Sequence, residues 1–215
     1  PQANATQART MEYFRRLGIA DEIRGLGMPA DYPTDIAYFT RYGHHELGRF
    51  QLPASSKANA LVRSNQGSWT ASEAPHRVSQ KFVEPVLRRL AEAHDSVTIN
   101  FGWRMTEFKE GASGVSAIFE QSETGVTHNI DATYLIGADG ARSMVRKQLG
   151  YTLQGEYGKE RHFLGGRMYA VYLRCPESYE VVEKQPAWMN GTFNNASRAC
   201  IAAVDGKGEF ASRTQ

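Results

Sequence analysis

Asp139 is the residue of this sequence best placed to do chemistry. It stands in Gly137-Ala138-Asp139-Gly140, between the apolar run Tyr134-Leu135-Ile136 and a helix-like run opened by Ser143. A strand that runs into a turn of small residues and then a helix start offers backbone N–H groups to an anion. Asp139 adds a carboxylate where a hydroxyl-rich or phosphate-bearing ligand can approach. The competing reading is an ordinary strand-turn-helix corner, with its glycines there for backbone geometry. Spacing alone leaves both open.

Three other places carry groups of interest. Ser79 is a good N-cap and Gln80 the first residue of the helix after it. Arg77 and Gln80 bracket the positive end of that helix, either as a solvated Arg beside a plain cap or as a polar pair facing a ligand. Arg9 lies in the first turn of an N-terminal helix, where the helix dipole disfavours a cation. It belongs to a solvated basic face or serves a ligand. His44 and His45 point in opposite directions in an extended chain, which suits exposed turn histidines and not a metal pair. No metal site is expected, and no residue is assigned a catalytic role. Cys175 and Cys200 match no zinc spacing and read as two buried thiols in a reducing compartment.

The elements that must position these groups follow from periodicity. Met11, Phe14 and Leu17 mark one face of a helix that Gly18 stops, and a second short helix turns Ile23 and Leu26 inward. Residues 35–52 read as a hairpin, with its turn at Tyr42-Gly43-His44-His45. Residues 53–75 are polar and too long for a bland connection. Phe82, Val83, Val86, Leu87 and Leu90 give the helix after Ser79 an apolar stripe, bent or weakened at Pro85. Val97 to Asn100 reads as a short strand. Residues 103–109, 115–121 and 128–133 read as a strand meander, and Tyr134-Leu135-Ile136 as a fully buried strand. A short helix from Ser143 ends at Gly150, the best domain junction. Beyond it, residues 162–164, 167–174, 187–193 and 199–204 are β-rich, with a turn at residues 205–208. The hairpin at 35–52 has no sheet partner except this later β region. Phe163, Tyr169, Tyr172, Trp188 and Phe193 suit a pocket lining and suit an ordinary sheet core better.

The bulk numbers bound the function. The chain has 215 residues, 41% hydrophobic and 22% charged, which suits one large or two smaller globular domains. Its 25 basic and 23 acidic residues leave a formal charge of +2, so nothing electrostatic argues for a nucleic acid partner. No run of about 18 apolar residues is present to span a membrane. Residues 1–4 carry no basic-then-apolar leader, and a cytoplasmic protein is expected. The chain lacks an initial Met and ends in no recognisable closing element, which reads as a fragment of a longer protein.

Three of these stretches together resemble the single-component FAD-dependent aromatic hydroxylases, the group of p-hydroxybenzoate hydroxylase and phenol hydroxylase. They are residues 1–4 with 8–19, Pro75-His76-Arg77-Val78-Ser79-Gln80 with Val83-Glu84-Pro85-Val86-Leu87, and Gly137-Ala138-Asp139-Gly140-Ala141-Arg142-Ser143-Met144-Val145-Arg146. The resemblance implies a mixed α/β fold: part of an FAD-binding, Rossmann-like domain of the glutathione-reductase-like class, with a β-sheet substrate domain. Residues 1–34 and 76–150 would belong to the first, and residues 35–75 and 151–215 to the second. It implies that Asp139, Gly140, Ser143 and Arg146 serve FAD and a transient nicotinamide. It also implies that Gln80 lies along the flavin's ribityl and phosphate chain, that Arg77 and Arg9 belong to the cofactor site, and that Asn4 lies near the flavin ring and the substrate. Some members carry an acid at that last place to deprotonate a phenol, which Asn4 cannot do.

The implied activity is hydroxylation of a phenolic or other aromatic substrate. FAD is the cofactor, NAD(P)H and dioxygen are co-substrates, and a flavin C4a-hydroperoxide is the oxidant. A homodimer is the implied assembly of the full-length parent. The family's Gly-x-Gly-x-x-Gly unit of roughly 30 residues and its later Gly-Asp motif are both absent from the chain. The fragment alone is therefore expected to bind FAD poorly and to be inactive. Two alternatives stand: a flavin monooxygenase acting on polyketide-like or larger rings, and an inactive, cofactor-free fragment.

Overall fold

The structure is a computed structural model and describes residues 3–64, 71–155, 169–182 and 184–214. The chain divides into two compact units: residues 1–93 with 161–215, and residues 94–160. No helix among the described residues is long and apolar enough to cross a membrane.

In the first unit, α1 (Ala8–Arg16) and α2 (Ala20–Leu26) pack with α4 (Gln80–Glu92). Met11 and Phe14 recur at three-residue spacing and so share one face. They close a core with Ile19, Ile23, Val78, Val83 and Val86. Burying each such side chain contributes about 1.5–3 kcal/mol. Gly18 breaks α1 from α2 at φ +75°, a conformation that costs a residue with a Cβ. Leu17 and Leu26, expected inward, are instead exposed. Leu17 is already the C-cap of α1, where the chain is turning toward Gly18 and the helical face no longer governs direction.

A six-stranded sheet, in the order β2-β1-β7-β8-β9-β6, forms the rest of this unit. The hairpin over 35–52 is β1 (Ile36–Phe39) against β2 (Glu46–Phe50). It joins the later strands through a parallel pairing of β1 with β7 (Met189–Phe193). From β7 the sheet continues antiparallel through β8 (Arg198–Ala203), β9 (Glu209–Thr214) and the edge strand β6 (Tyr169–Arg174). Asp205 accepts from the backbone N–H of Lys207 and of Glu209, shaping the turn that launches β9.

Further differences from the sequence reading appear in this unit. Residues 53–75 contain a helix, α3 (Ser55–Arg63), because Ala58 and Val62 at i, i+4 spacing pack on Ala74. A four-residue helix, α6 (Ser178–Val181), precedes β7. Cys175 is exposed and not buried, and both cysteines are free thiols. The reading of residues 162–164, Phe163 among them, falls outside the described residues.

The second unit is the expected meander, β3 (Trp103–Gly111), β4 (Gly114–Gln121) and β5 (Thr127–Ala132), with α5 (Met144–Gln148). Its core joins Phe108, Val115 and Ala117 to Val145 of α5. Gln148 donates from Nε2 to the Phe108 carbonyl at 2.5 Å, fixing the helix to β3. Two predicted strands are absent. Residues 97–100 and 134–136 pair with no strand among the described residues, and a strand needs neighbours to satisfy its backbone. Tyr134 and Ile136 are 83% and 87% exposed, so this stretch is not the buried strand its apolar run suggested. Only Leu135 packs, against the Phe108 cluster.

Candidate functional site

In the second unit the Gly-Ala-Asp-Gly turn is organised around Asp139. One carboxylate oxygen accepts the Ser143 hydroxyl at 2.6 Å. The other accepts the backbone N–H of Met144 at 2.6 Å and of Val145 at 3.3 Å. Ser143 in turn caps α5 by accepting the Arg146 N–H at 3.0 Å. The Ser143 hydroxyl, followed by the two backbone donors, holds the Asp139 carboxyl below its ordinary pKa. Arg146 folds back to donate to the Ala141 carbonyl at 2.9 Å, leaving its buried Nε without a partner. Gly140 takes φ +75°. A Cβ at Gly137 would stand 2.8 Å from Val145, so that glycine lets the turn close on α5. The turn is therefore self-capping: Asp139 already occupies the first donors of a five-residue helix.

In the first unit a short antiparallel bridge builds the second group. Thr6 and His76 exchange backbone hydrogen bonds of 2.8 and 3.0 Å, and the Gln80 N–H donates to the Ala3 carbonyl at 2.8 Å. The segment carrying Asn4 is thereby laid along the segment carrying Arg77 and Gln80. Ser79 occupies the N-cap position, but its side chain caps nothing and is buried. The Ala3 carbonyl meets the first helical N–H in its place. Gln80 donates to Glu84 at 2.5 Å. Arg9 is not part of this group: its exposed guanidinium pairs with Glu12 at 2.8 Å on the outer face of α1.

The Arg77 guanidinium lies 3.8 Å from the centroid of the Trp188 ring. Burial lowers its pKa, and it has no carboxylate partner among the described residues. Next to it, His76 is buried, and neither ring nitrogen has a hydrogen-bond partner of good geometry. Burial first, then the neighbouring Arg24 charge, pushes its pKa down to about 4. The imidazole is neutral at pH 7.

Asn4 and Trp188 line a pocket of about 450 Å³ against the sheet, with Tyr172, Met189, Cys200 and Arg213. Of the aromatic residues singled out in the sequence, Tyr172 and Trp188 face this pocket, while Tyr169 is 74% exposed on the edge strand. The Tyr172 hydroxyl donates to Glu209 at 2.6 Å and accepts from Lys81 at 2.6 Å. Lys81 also pairs with Glu209. This triad ties the first turn of α4 to the edge of the sheet. Nothing in the spacing of Lys81, Tyr172 and Glu209 announces it, because the three meet only through the sheet pairing. Among the described residues no three His, Cys, Asp or Glu side chains are grouped to hold a metal.

Residues 1–195 match the FAD binding domain family, and the chain belongs to it. It is 35% identical over 151 residues to the FAD-dependent monooxygenase opdD of Penicillium oxalicum, covering 70% of this chain and 29% of that protein. It is 34% identical over 169 residues to aklavinone 12-hydroxylase DnrF of Streptomyces peucetius, covering 77% and 32%. Among solved structures, the rebeccamycin biosynthetic enzyme RebC with reduced flavin superposes at a TM-score of 0.78 and 28% identity, over 100% of this chain and 38% of RebC. The chain thus spans about a third of the length of these relatives.

The residues present fit an anionic, hydroxyl-rich cofactor at one place. Burial desolvates the Arg77 cation, which has no carboxylate partner among the described residues. It lies just before α4, where the Ser79 side chain caps nothing and the Ala3 carbonyl takes the first helical N–H. A phosphate-bearing group there would supply the counter-charge that Arg77 lacks and would be favoured by the positive end of α4.

Proposed function

We propose that the complete protein carrying this chain is an FAD- and NAD(P)H-dependent monooxygenase that hydroxylates an aromatic substrate. What supports the reading is the family match over residues 1–195, together with the half-buried Arg77 beside the N-terminus of α4. When bound and reduced by NAD(P)H, FAD would activate dioxygen, one atom of which would enter the ring while the other leaves as water. The protein's work is binding, orientation and water exclusion. Arg77 and the start of α4 hold the cofactor's anionic part, and Gln80 lies along its polyol chain. Asp139, with Gly140, Ser143 and Arg146, fixes a turn that presents backbone to the cofactor and the nicotinamide. Asn4 orients the ring substrate from the pocket wall, as a neutral hydrogen-bonding group and not as a base. Arg9, paired with Glu12 on the outer face, is the weakest of the proposed cofactor contacts. Residues 1–34 and 76–150 serve the cofactor, and residues 35–75 and 151–215 the substrate. The protein works in the cytoplasm as a homodimer.

A ring system larger than a single phenol is a second reading, favoured by a pocket of about 450 Å³, which lies within the range of drug-sized ligand sites. Turnover separates the two. The complete protein should oxidise NAD(P)H faster when an aromatic substrate is present and yield a product one oxygen heavier. A monocyclic phenol and a polycyclic phenol, compared at equal concentration, identify the preferred size. NAD(P)H oxidation that no aromatic compound stimulates contradicts both.

A further inference from the structure

Tyr172 stands on β6, on the face of the sheet that lines the pocket closed by Asn4. It pairs with Ala211 of β9, and Glu209 and Arg213 lie two residues to either side of Ala211 on that same face. Lys81 reaches this face from the first turn of α4. Its ammonium donates to the Tyr172 hydroxyl at 2.6 Å, the hydroxyl donates to Glu209 Oε2 at 2.6 Å, and Lys81 pairs with that same carboxylate. The Tyr172 oxygen thus gives one hydrogen bond, accepts one and keeps a further lone pair. The Lys81 and Glu209 side chains are 28% and 23% exposed, so the triad runs from the pocket wall to water.

A ring that takes up oxygen beside its own hydroxyl group has to lose that group's proton. Asn4 is an amide and cannot accept it, and among the described residues no Asp, Glu or His lines the pocket. Tyr172 is a wall residue already hydrogen-bonded to a carboxylate.

We propose that Tyr172 is a proton relay: it accepts the ring-hydroxyl proton of the substrate while its own proton passes to Glu209. This rests on the pocket being the substrate site of the proposed monooxygenase. The substrate O–H bond breaks and a new O–H bond forms on Tyr172. The old Tyr172 O–H bond breaks and its proton joins Glu209 Oε2. The electron pair of the substrate O–H bond stays behind and becomes the second bond of a ring carbonyl. Before oxygen arrives, a phenol is too weak an acid to protonate a carboxylate. Once the ring has gained oxygen, its hydroxyl is the protonated carbonyl of a dienone, a strong acid, and the transfer runs downhill. Glu209 then yields the proton to water at its exposed edge. Lys81 is a positioning residue that turns the Tyr172 proton toward Glu209.

The test uses the FAD-loaded complete protein with 2,4-dichlorophenol, whose hydroxyl ionises in a pH range where the triad does not. Burial and then Glu209 push the Tyr172 hydroxyl up, and Lys81 and then Tyr172 hold Glu209 low. Burial opposes the Lys81 charge, but Glu209 and Tyr172 together keep its pKa above the ordinary value. The other groups on this face are the guanidiniums of Arg174 and Arg213 and the Cys200 thiol, which burial pushes up. Product is measured in a single turnover with the probe neutral, at about pH 6.5, and ionised, at about pH 9, within the span between carboxylate and ammonium titration. Affinity is titrated separately without NAD(P)H. Y172F should slow hydroxylation of the neutral probe about a hundredfold, the scale of general acid–base catalysis, and leave its affinity within about threefold. The loss should shrink to a few-fold for the ionised probe, which has no proton to give. E209Q keeps the shape but takes no proton and should show the same pattern, which covers the case in which Y172F does not fold. K81M should show a smaller loss confined to the neutral probe, and K81R should restore the rate. Equal loss for both forms of the probe, loss that lies in affinity, or no loss in Y172F and E209Q overturns the relay alone. A wild type whose NAD(P)H oxidation is stimulated neither by this probe nor by 1-naphthol refutes the monooxygenase reading, and the relay with it.

Discussion

The guanidinium of Arg77 stacks on the ring of Trp188, 3.8 Å from its centroid, and so joins the segment that enters α4 to the residue that precedes β7. A partly desolvated pair of this kind is worth about 1–2 kcal/mol. It also holds an unmet charge, since no carboxylate among the described residues stands opposite. Replacing Arg77 with Ala should weaken FAD binding by the complete protein about tenfold, measured by quenching of flavin fluorescence on titration. Arg77→Lys should recover part of the loss. Unchanged affinity in Arg77→Ala would limit the residue to packing against Trp188.

His76 predicts a pH dependence of stability. Its folded pKa is lowered to about 4, chiefly by burial, against an unfolded value of about 6.5. Between those values the unfolded chain binds a proton that the folded protein refuses. Stability therefore falls as pH drops from about 6.5 toward 4 and is flat above, with a full cost on the order of 3 kcal/mol. The carboxylates held low, Glu46, Asp139 and Glu209, titrate below the ordinary carboxylate range, so pH 5 to 6.5 isolates the histidine. Urea unfolding at pH 7.5 and pH 5 should show the loss in the wild type and much less of it in His76→Gln. Equal midpoints for the wild type at both pH values would contradict the assignment.

Gly27 is fixed by the same imidazole. A Cβ there would stand 2.1 Å from His76 Nε2 and 2.5 Å from the Arg77 carbonyl. The carbonyl is backbone and cannot step aside, and the ring is buried. Gly27→Ala should destabilise by about 3 kcal/mol, at the upper end of overpacking costs, and lower the melting temperature by several degrees. A melting temperature within one degree of wild type, roughly the shift of a neutral substitution, would count against the packing described.

Asp139 holds its turn through three donors. Asp139→Ala should abolish amide exchange protection at Met144 to Gln148 while leaving that of the β3-β4-β5 meander intact. Asp139→Asn, which keeps an acceptor, should fall between. Retained protection in Asp139→Ala would show that Ser143 alone caps the helix.

These residues also show how far the sequence could be read. The Ser143 cap, the Gln80 helix start and the meander were legible because each rests on local rules: a cap residue, a period of 3.6 or 2, a glycine turn. The FAD binding domain family was legible from three short stretches. The exposed Tyr134 and Ile136 were misread, because an apolar run says only that burial is favourable and not that a partner strand is at hand. Helix α3 was missed because its polar composition hides two apolar positions, Ala58 and Val62. The stacking of Arg77 on Trp188 and the Lys81-Tyr172-Glu209 triad were out of reach, since each depends on segments brought together from distant parts of the chain.

The central claim is that this chain belongs to a flavin monooxygenase acting on an aromatic ring. It is tested most directly by supplying the FAD-loaded complete protein with NAD(P)H, a phenolic substrate and isotopically labelled dioxygen. The account predicts aromatic-stimulated NAD(P)H oxidation and one labelled oxygen atom in the product by mass spectrometry. Product carrying no label, or NAD(P)H consumption indifferent to the substrate, would contradict it.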